Sequence, residues 1–139
     1  MNAIIDLFPL WMLLLSIITF HNTPHGWILI ILIISLGFIL NVVLKIICHL
    51  LNDTCNTYCF RPNGDWGGWP SGHAQSLFLM WMVIVRRYGL NVWTGGLLMI
   101  IVRVLYLRYQ QRYHTGFQII SGGVIGLSLG WGLLNLFSI

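Results

Sequence analysis

Two long apolar runs near the N-terminus constrain the fold of this chain more than any other feature of its sequence. The first covers Ala3–Phe20 and is interrupted only by Asp6 and Pro9, and the second covers Gly26–Leu51. A helix rises about 1.5 Å per residue, so each run crosses or nearly crosses a hydrocarbon core of about 30 Å. A soluble domain of 139 residues could not bury a composition that is 58% hydrophobic and 7% charged. The sequence therefore predicts an integral membrane protein, with residues 1–139 forming one membrane-embedded domain.

Three further apolar segments follow a polar loop, and we predict that each of them also crosses the membrane. They are Ser71–Val85, Leu90–Tyr109 and His114–Ser138. The expected fold class is all-α, an integral membrane helix bundle of about five transmembrane helices. Five spans place the loop Asn52–Pro70 and the turn Gln110–Tyr113 on one face of the membrane, with Arg86 and Arg87 on the other. The polar chemistry is thus predicted to gather at a single membrane face.

Glycines recur along the last segment at spacings that let helices approach closely in a bilayer. We interpret them as packing positions: Gly122, Gly123, Gly126, Gly130 and Gly132.

The formal net charge of +4 results from seven basic residues against three aspartates. Such a balance is typical of positive-inside topology, of an anionic substrate, or of both. The basic residues are scattered singly and form no stripe, so no nucleic-acid partner is expected.

The three cysteines, Cys48, Cys55 and Cys59, leave several states open. Free thiols are the common case. A Cys55–Cys59 disulfide is the alternative if the loop faces an oxidising lumen. A zinc site built from His49, Cys55 and Cys59 would lack a fourth ligand.

The stretch Trp69–Gln75, which reads WPSGHAQ, closes the polar loop and opens the third span. A Pro-Ser-Gly step into a helix presents a small hydroxyl and backbone N–H groups at the positive end of the helix dipole, where phosphate is a natural ligand. His73 falls in the first turn, from which it can give or take a proton beside the anion. Ser-Gly-His also occurs in ordinary helix starts, so the interpretation depends on Arg61, Arg108 and His114 elsewhere in the chain.

A second set of residues completes a candidate site for phosphoryl chemistry. His114 and Gln118 are spaced to share one helical face, so the amide can fix one imidazole nitrogen and leave the other to attack phosphorus. Gln118 thus joins His73 and His114 as a predicted catalytic residue. Arg61 and Arg108 suit the oxygens of a phosphoryl group through forked donors and permanent charge. The chain has no carboxylate cluster to hold magnesium, so we expect a mechanism without metal or cofactor.

The ordered motifs resemble the three-part signature of the type 2 phosphatidic acid phosphatase superfamily. The three parts are Arg61-Pro62, Pro70-Ser71-Gly72-His73, and Arg108 followed by five residues and His114. The segments Gly68–Gln75 and Tyr113–Gln118 are most similar to the dolichyl diphosphatase branch, which also carries glutamine where other members carry aspartate. The resemblance covers about residues 40–130.

The resemblance implies a role for each matched residue. His114 is the nucleophile that forms a phosphohistidine, and His73 is the acid that protonates the leaving group. The implied phosphate-holding groups are Arg61, Arg108, Ser71 and the Gly72 amide. The implied reaction is metal-independent hydrolysis of a polyprenyl, dolichyl-like diphosphate to the monophosphate and inorganic phosphate. The alternatives are a phosphatase acting on phosphatidic acid or phosphatidylglycerol phosphate, and a non-catalytic membrane protein that binds lipid phosphates.

The sequence departs from the signature at three points. Thr54 stands where the first motif normally has lysine, and Lys45, nine residues earlier, is the candidate phosphate-binding replacement. Leu107 stands where a serine normally precedes the third-motif arginine. Family members commonly have six spans and five are predicted here, which implies a short version lacking one helix.

The charge distribution also predicts an orientation and partners. Arg86 and Arg87 lie on the face opposite the predicted site, which by the positive-inside tendency favours a lumenal or otherwise extracytoplasmic active site, in the endoplasmic reticulum or plasma membrane. The expected partners are the membrane and a lipid diphosphate or lipid phosphate substrate, and the sequence predicts no particular oligomeric state.

Overall fold

The computed structural model describes residues 3–20, 22, 26–51, 59–63 and 67–137, with the side chains of the first helix described from Pro9 onward. Within these residues the fold is all-α, as predicted. The five helices are α1 (Ala3–Phe20), α2 (Gly26–Leu50), α3 (Gly72–Tyr88), α4 (Val92–Gln110) and α5 (Gly116–Leu136).

Three of the helices, α2, α4 and α5, are long and apolar enough to cross a membrane. Their outer surfaces expose large apolar side chains such as Phe38, Val102 and Ile120, as expected of surface that faces lipid. The shorter α3 lies at the centre of the bundle and ends in the exposed Arg86 and Arg87. A multi-span membrane protein built of helices is therefore confirmed.

Side-chain caps set the helix starts and shift them from the predicted boundaries. Ser71 and Asn91 each precede a helix and accept hydrogen bonds from its first backbone N–H groups. Thr115 does the same for α5, and Gln118 returns the bond to the Thr115 N–H, which forms a capping box. His114 therefore precedes α5, and the predicted shared helical face of His114 and Gln118 is wrong.

The close approach of α3 and α5 depends on glycines. A Cβ at Gly122 would overlap the carbonyl of Ser71, the cap of α3, one at Gly126 would overlap the Gln75 carbonyl, and one at Gly123 would lie 2.9 Å from the Phe78 ring. Gly130 packs against Met82. The packing role predicted for these glycines is confirmed, but it is wrong for Gly132, because a Cβ there meets open space.

Buried amides fix α2 against α3. Asn41 Nδ2 donates to Gln75 Oε1 at 2.8 Å, and Gln75 Nε2 donates to the Gly37 carbonyl at 2.8 Å. Both side chains are buried, so each polar group needs such a partner. These bonds set the position of α2 along α3 and bring Lys45, one turn after Asn41, level with the start of α3.

A disulfide joins the end of α2 to the polar loop. Cys48 pairs with Cys59, with their Cα atoms 5.8 Å apart. The expectation of free thiols is therefore wrong for Cys48 and Cys59, the alternative Cys55–Cys59 disulfide is also wrong, and Cys55 lies outside the described residues. A zinc site that uses Cys59 is wrong for the same reason, since a disulfide sulfur is not a thiolate ligand.

Candidate active site

One cavity brings together predicted site residues from distant parts of the chain. It has a volume of about 300 Å³ and lies where α2 ends and α3 begins. Four ionisable side chains line it: Lys45, Arg61, His73 and His114. The remaining lining residues are Pro9, Phe38, Asn41, Gly72 and Ser76. The predicted gathering of polar chemistry at one end of the bundle is thus found in the structure.

Two oxygen acceptors fix the tautomer of His114. The ring is 4% exposed, and its Nδ1 lies 3.2 Å from the Gly68 carbonyl and 3.4 Å from Gln118 Oε1. Because both neighbours only accept hydrogen bonds, the neutral imidazole carries its proton on Nδ1. The lone pair is then on Nε2, which is the state required of a nucleophile.

The orientation of the Gln118 amide is itself fixed by backbone groups. Its Nε2 donates to the Phe60 carbonyl at 2.8 Å, and its Oε1 accepts from the Thr115 N–H at 3.0 Å. A flipped amide would lose both bonds, so Oε1 is the atom that faces His114. Gln118 is fully buried and is not among the residues that line the cavity, and its predicted catalytic role stays a prediction.

Sequence analysis missed Gly67 and Gly68, whose carbonyls hold two site residues. Lys45 Nζ donates to the Gly67 carbonyl at 2.8 Å, and the Gly68 carbonyl accepts from His114. A Cβ at Gly68 would overlap Gln118 Nε2 and the Phe60 carbonyl, so only glycine fits there. The Gly-Gly pair directly before the Trp-Pro-Ser-Gly-His motif was the available signal.

Burial lowers the pKa of the His114 imidazole from its ordinary 6.5 to about 4. The positive charge of Arg61 acts in the same direction, and the hydrogen bond to Gln118 opposes it. Smaller contributions from Lys45 and His73 also lower the pKa. The charges that disfavour an imidazolium here are the charges that would attract an anion.

This pKa predicts that His114 stays neutral well below pH 6.5. At pH 5 an ordinary imidazole would be only about 3% neutral, whereas an imidazole of pKa about 4 would be about 90% neutral. Protonation removes the Nε2 lone pair, so His114 should limit activity only as the pH falls through about 4. Nitrogen-15 shifts of histidine-labelled protein in detergent would follow the titration.

A matched variant checks the cause of the shift. Arg61→Gln removes a repelling charge and should raise the pKa of His114, although burial still keeps it below 6.5. Titration of His114 near 6.5 in the wild-type protein would contradict the tautomer and charge assignment.

His73 and Arg108 form a direct pair. Arg108 Nη2 donates to His73 Nε2 at 2.7 Å, so that nitrogen is an acceptor in this structure. Arg108 is 7% exposed and its guanidinium lies 5.0 Å from the centre of the Tyr113 ring. Stacking on Tyr113 keeps the side chain of Arg108 directed at His73. Sequence analysis did not assign Tyr113 this role.

Arg61 and Lys45 bring positive charge to the cavity from two directions. Arg61 lies in the loop after Cys59, and its Nε is buried with no acceptor in the described part of the chain. Lys45 comes from α2 and reaches the same cavity. The structure thus places Lys45 in the cavity, and its role as the phosphate-binding replacement for the lysine missing at Thr54 stays a prediction.

Ser71 and Gly72 occupy different positions at the start of α3. Gly72 lines the cavity, whereas Ser71 is fully buried and its hydroxyl caps α3 by accepting from the Ala74 N–H at 3.4 Å. The Ser71 N–H donates to the Gln118 carbonyl at 3.0 Å. Ser71 therefore joins α3 to α5, and its predicted contact with phosphate stays a prediction.

The fold and the site define a helical membrane protein with two histidines and several cationic side chains around one cavity. The family model of the PAP2 superfamily matches residues 25–138. The chain therefore belongs to the PAP2 superfamily, whose membership implies a phosphatase acting on lipid phosphates. No curated protein and no solved structure matches the chain.

Proposed function

We propose that this protein hydrolyses a polyprenyl, dolichyl-like diphosphate to the monophosphate and inorganic phosphate through a phosphohistidine. One observation carries the proposal: His73 and His114 line a single cavity together with Lys45 and Arg61, at the end of membrane-spanning helices. A neutral nucleophile, a second imidazole and fixed positive charge are the groups that phosphoryl transfer needs.

In the proposed mechanism, Nε2 of His114 attacks the outer phosphorus of the diphosphate. The N–P bond forms as the bond from that phosphorus to the bridging oxygen breaks, and the bridging oxygen leaves with the lipid monophosphate, taking a proton from His73. The oxygen of a water molecule then attacks the phosphorus of the phosphohistidine while His73 accepts one proton of that water. The N–P bond breaks, its electron pair returns to Nε2 of His114, and inorganic phosphate is released. Lys45, Arg61 and Arg108 offset the negative charge of the equatorial oxygens.

Arg108 has two uses in this scheme. It donates to His73 Nε2, but a phosphate oxygen is a charged and therefore stronger acceptor than a neutral imidazole. Binding of the substrate would draw Arg108 to phosphate and leave His73 Nε2 available to take up a proton. Binding of the substrate thereby allows His73 to become protonated, which is the state in which it can act as the acid of the first step.

The lipid tail would leave the cavity toward the bilayer. Pro9 of α1 and Phe38 of α2 line the cavity, and Phe38 is 67% exposed on the outer surface of the bundle. An apolar wall that continues to the lipid-facing surface suits a chain that remains in the membrane while the head group reaches the cations. The choice of a polyprenyl diphosphate among lipid phosphates is supported by the resemblance of Gly68–Gln75 and Tyr113–Gln118 to the dolichyl diphosphatase branch.

A substrate panel tests this proposal. The purified full chain in detergent is assayed with EDTA present, and phosphate release is compared between a polyprenyl diphosphate, phosphatidic acid and phosphatidylglycerol phosphate. We expect activity that survives chelation and favours the diphosphate. Preference for a monoester would overturn the substrate assignment. Binding of lipid phosphate with no release from any substrate would support the non-catalytic alternative.

We further propose that the active-site face is lumenal or otherwise extracytoplasmic. Disulfides persist in oxidising compartments, and the Cys48–Cys59 disulfide lies at the same end of α2 as the cavity. The exposed Arg86 and Arg87 end α3 at its other terminus, which agrees with the positive-inside tendency. Labelling of single introduced cysteines by an impermeant reagent in intact vesicles tests the orientation.

A further inference from the structure

We infer that the Cys48–Cys59 disulfide positions Arg61 in the cavity, so that tight binding of a phosphate anion requires the oxidised bridge. The inference rests on the proposed function only in taking the cavity as a phosphate site. It concerns binding of the anion, which can be measured without turnover.

The bridge connects the two elements that bring positive charge to the cavity. Cys48 lies three residues after Lys45 in the last turns of α2, and Cys59 lies two residues before Arg61. Their Cα atoms are 5.8 Å apart, so the loop segment is held directly against α2. The cationic heads of Lys45 and Arg61 therefore reach one cavity from elements joined by a covalent link.

The bridge is part of a compact junction. Cys48 and Cys59 are 7% and 5% exposed, and the Cys59 carbonyl accepts from the Gly68 N–H at 2.7 Å. The next carbonyl, that of Phe60, holds the Gln118 amide. The segment that carries Arg61 is thus fixed at Cys59 by the bridge and at Phe60 by the hydrogen bond from Gln118.

Without the bridge, the covalent connection between the segment and α2 is the longer path of the chain between Leu51 and Cys59. A guanidinium on a less restricted segment loses the pre-organised geometry that makes it an effective anion ligand. Lys45 keeps its own contact with the Gly67 carbonyl and should be affected less. The expected effect is therefore a loss of phosphate affinity that acts through Arg61.

The test compares cysteine variants of the full chain. Affinity for inorganic phosphate is measured by calorimetry in detergent for the wild type, for Cys48→Ser/Cys59→Ser, and for Cys55→Ser as the matched control. We expect about tenfold weaker binding in the double variant, within the usual coupling between neighbouring groups, and unchanged binding in the control. The same pair of serines introduced with Arg61→Ala should cause less than about a twofold further loss, because the coupled partner is already absent.

Reduction of the wild type provides an independent measurement if the serine variant fails to fold. Dithiothreitol supplies two electrons and two protons, which convert the bridge to two thiols while the reagent becomes its cyclic disulfide. Phosphate affinity should fall on reduction and recover on reoxidation, with the bridge followed by mass spectrometry.

Several outcomes would overturn the inference. These are free thiols at positions 48 and 59 in the oxidised protein, equal phosphate affinity with and without the bridge, or the same loss in the Arg61→Ala background. If no lipid is hydrolysed but phosphate binding still depends on the bridge, the proposed function fails and the inference stands. If hydrolysis and phosphate affinity are both indifferent to the bridge, the inference fails and the proposed function stands.

Discussion

Replacing His114 with alanine is expected to abolish phosphate release from a polyprenyl diphosphate. The substitution removes the only protein atom proposed to form a bond with phosphorus, and nucleophile removal typically costs several orders of magnitude, here about a thousandfold or more. Release of inorganic phosphate and trapping of labelled phosphate on the protein are the two measurements. Both signals should disappear together, since each depends on the N–P bond.

The control for this variant is His49→Ala. His49 lies on the exposed side of α2 and does not line the cavity, so turnover should be retained. Inorganic phosphate should still bind to His114→Ala, because Lys45 and Arg61 are untouched. Full turnover in His114→Ala would discard the phosphohistidine mechanism, and loss of phosphate binding in that variant would show that Lys45 and Arg61 do not hold the anion without His114.

Replacing Gly126 with valine is expected to prevent α3 and α5 from packing. Its Cβ would overlap the backbone carbonyl of Gln75, and a backbone atom cannot turn aside as a flexible side chain can. The two helices must separate, which affects the most extensive helix contact in the bundle. Overpacking of this kind costs about 3 kcal/mol or more when the obstacle is rigid. The thermal midpoint in detergent and the fraction of monodisperse protein measure the effect.

Gly132→Val in the same helix is the matched control. It makes the same chemical change, but a Cβ at Gly132 meets no atom of the described residues within 4 Å. Its midpoint should therefore remain close to that of the wild type. Equal stability of the two valine variants would contradict the close approach of α3 and α5.

The bundle could be predicted from sequence because its determinants are local. The apolar runs are long enough to identify membrane spans. Successive spans cross the membrane in opposite directions, so the position of a motif residue before or after a span predicts the membrane face on which it lies. That directionality assigns Lys45, Arg61, His73 and His114 to one face from the sequence alone. The predicted last span began at His114, whereas the capping box of Thr115 and Gln118 starts α5 after that residue.

The remaining features depend on contacts that sequence order does not encode. Three cysteines allow three pairings, and only the fold of the loop against α2 selects Cys48 with Cys59. The spacing of small residues cannot distinguish Gly126, which faces α3, from Gly132, which faces open space. Gly68 contacts His114 through its backbone carbonyl, so the glycine in the sequence indicates only that a side chain does not fit at that position.

The neutral amide of Gln118 has an electrostatic consequence for the whole pocket. A carboxylate in that place would hold an adjacent imidazole equally well, but its charge would cancel part of the field from Lys45 and Arg61. None of the described residues that line the cavity is acidic. The positive electrostatic potential of the cavity is therefore not reduced by an acidic side chain in its wall. The attraction that this potential exerts is strongest for the lipid head group with the largest negative charge.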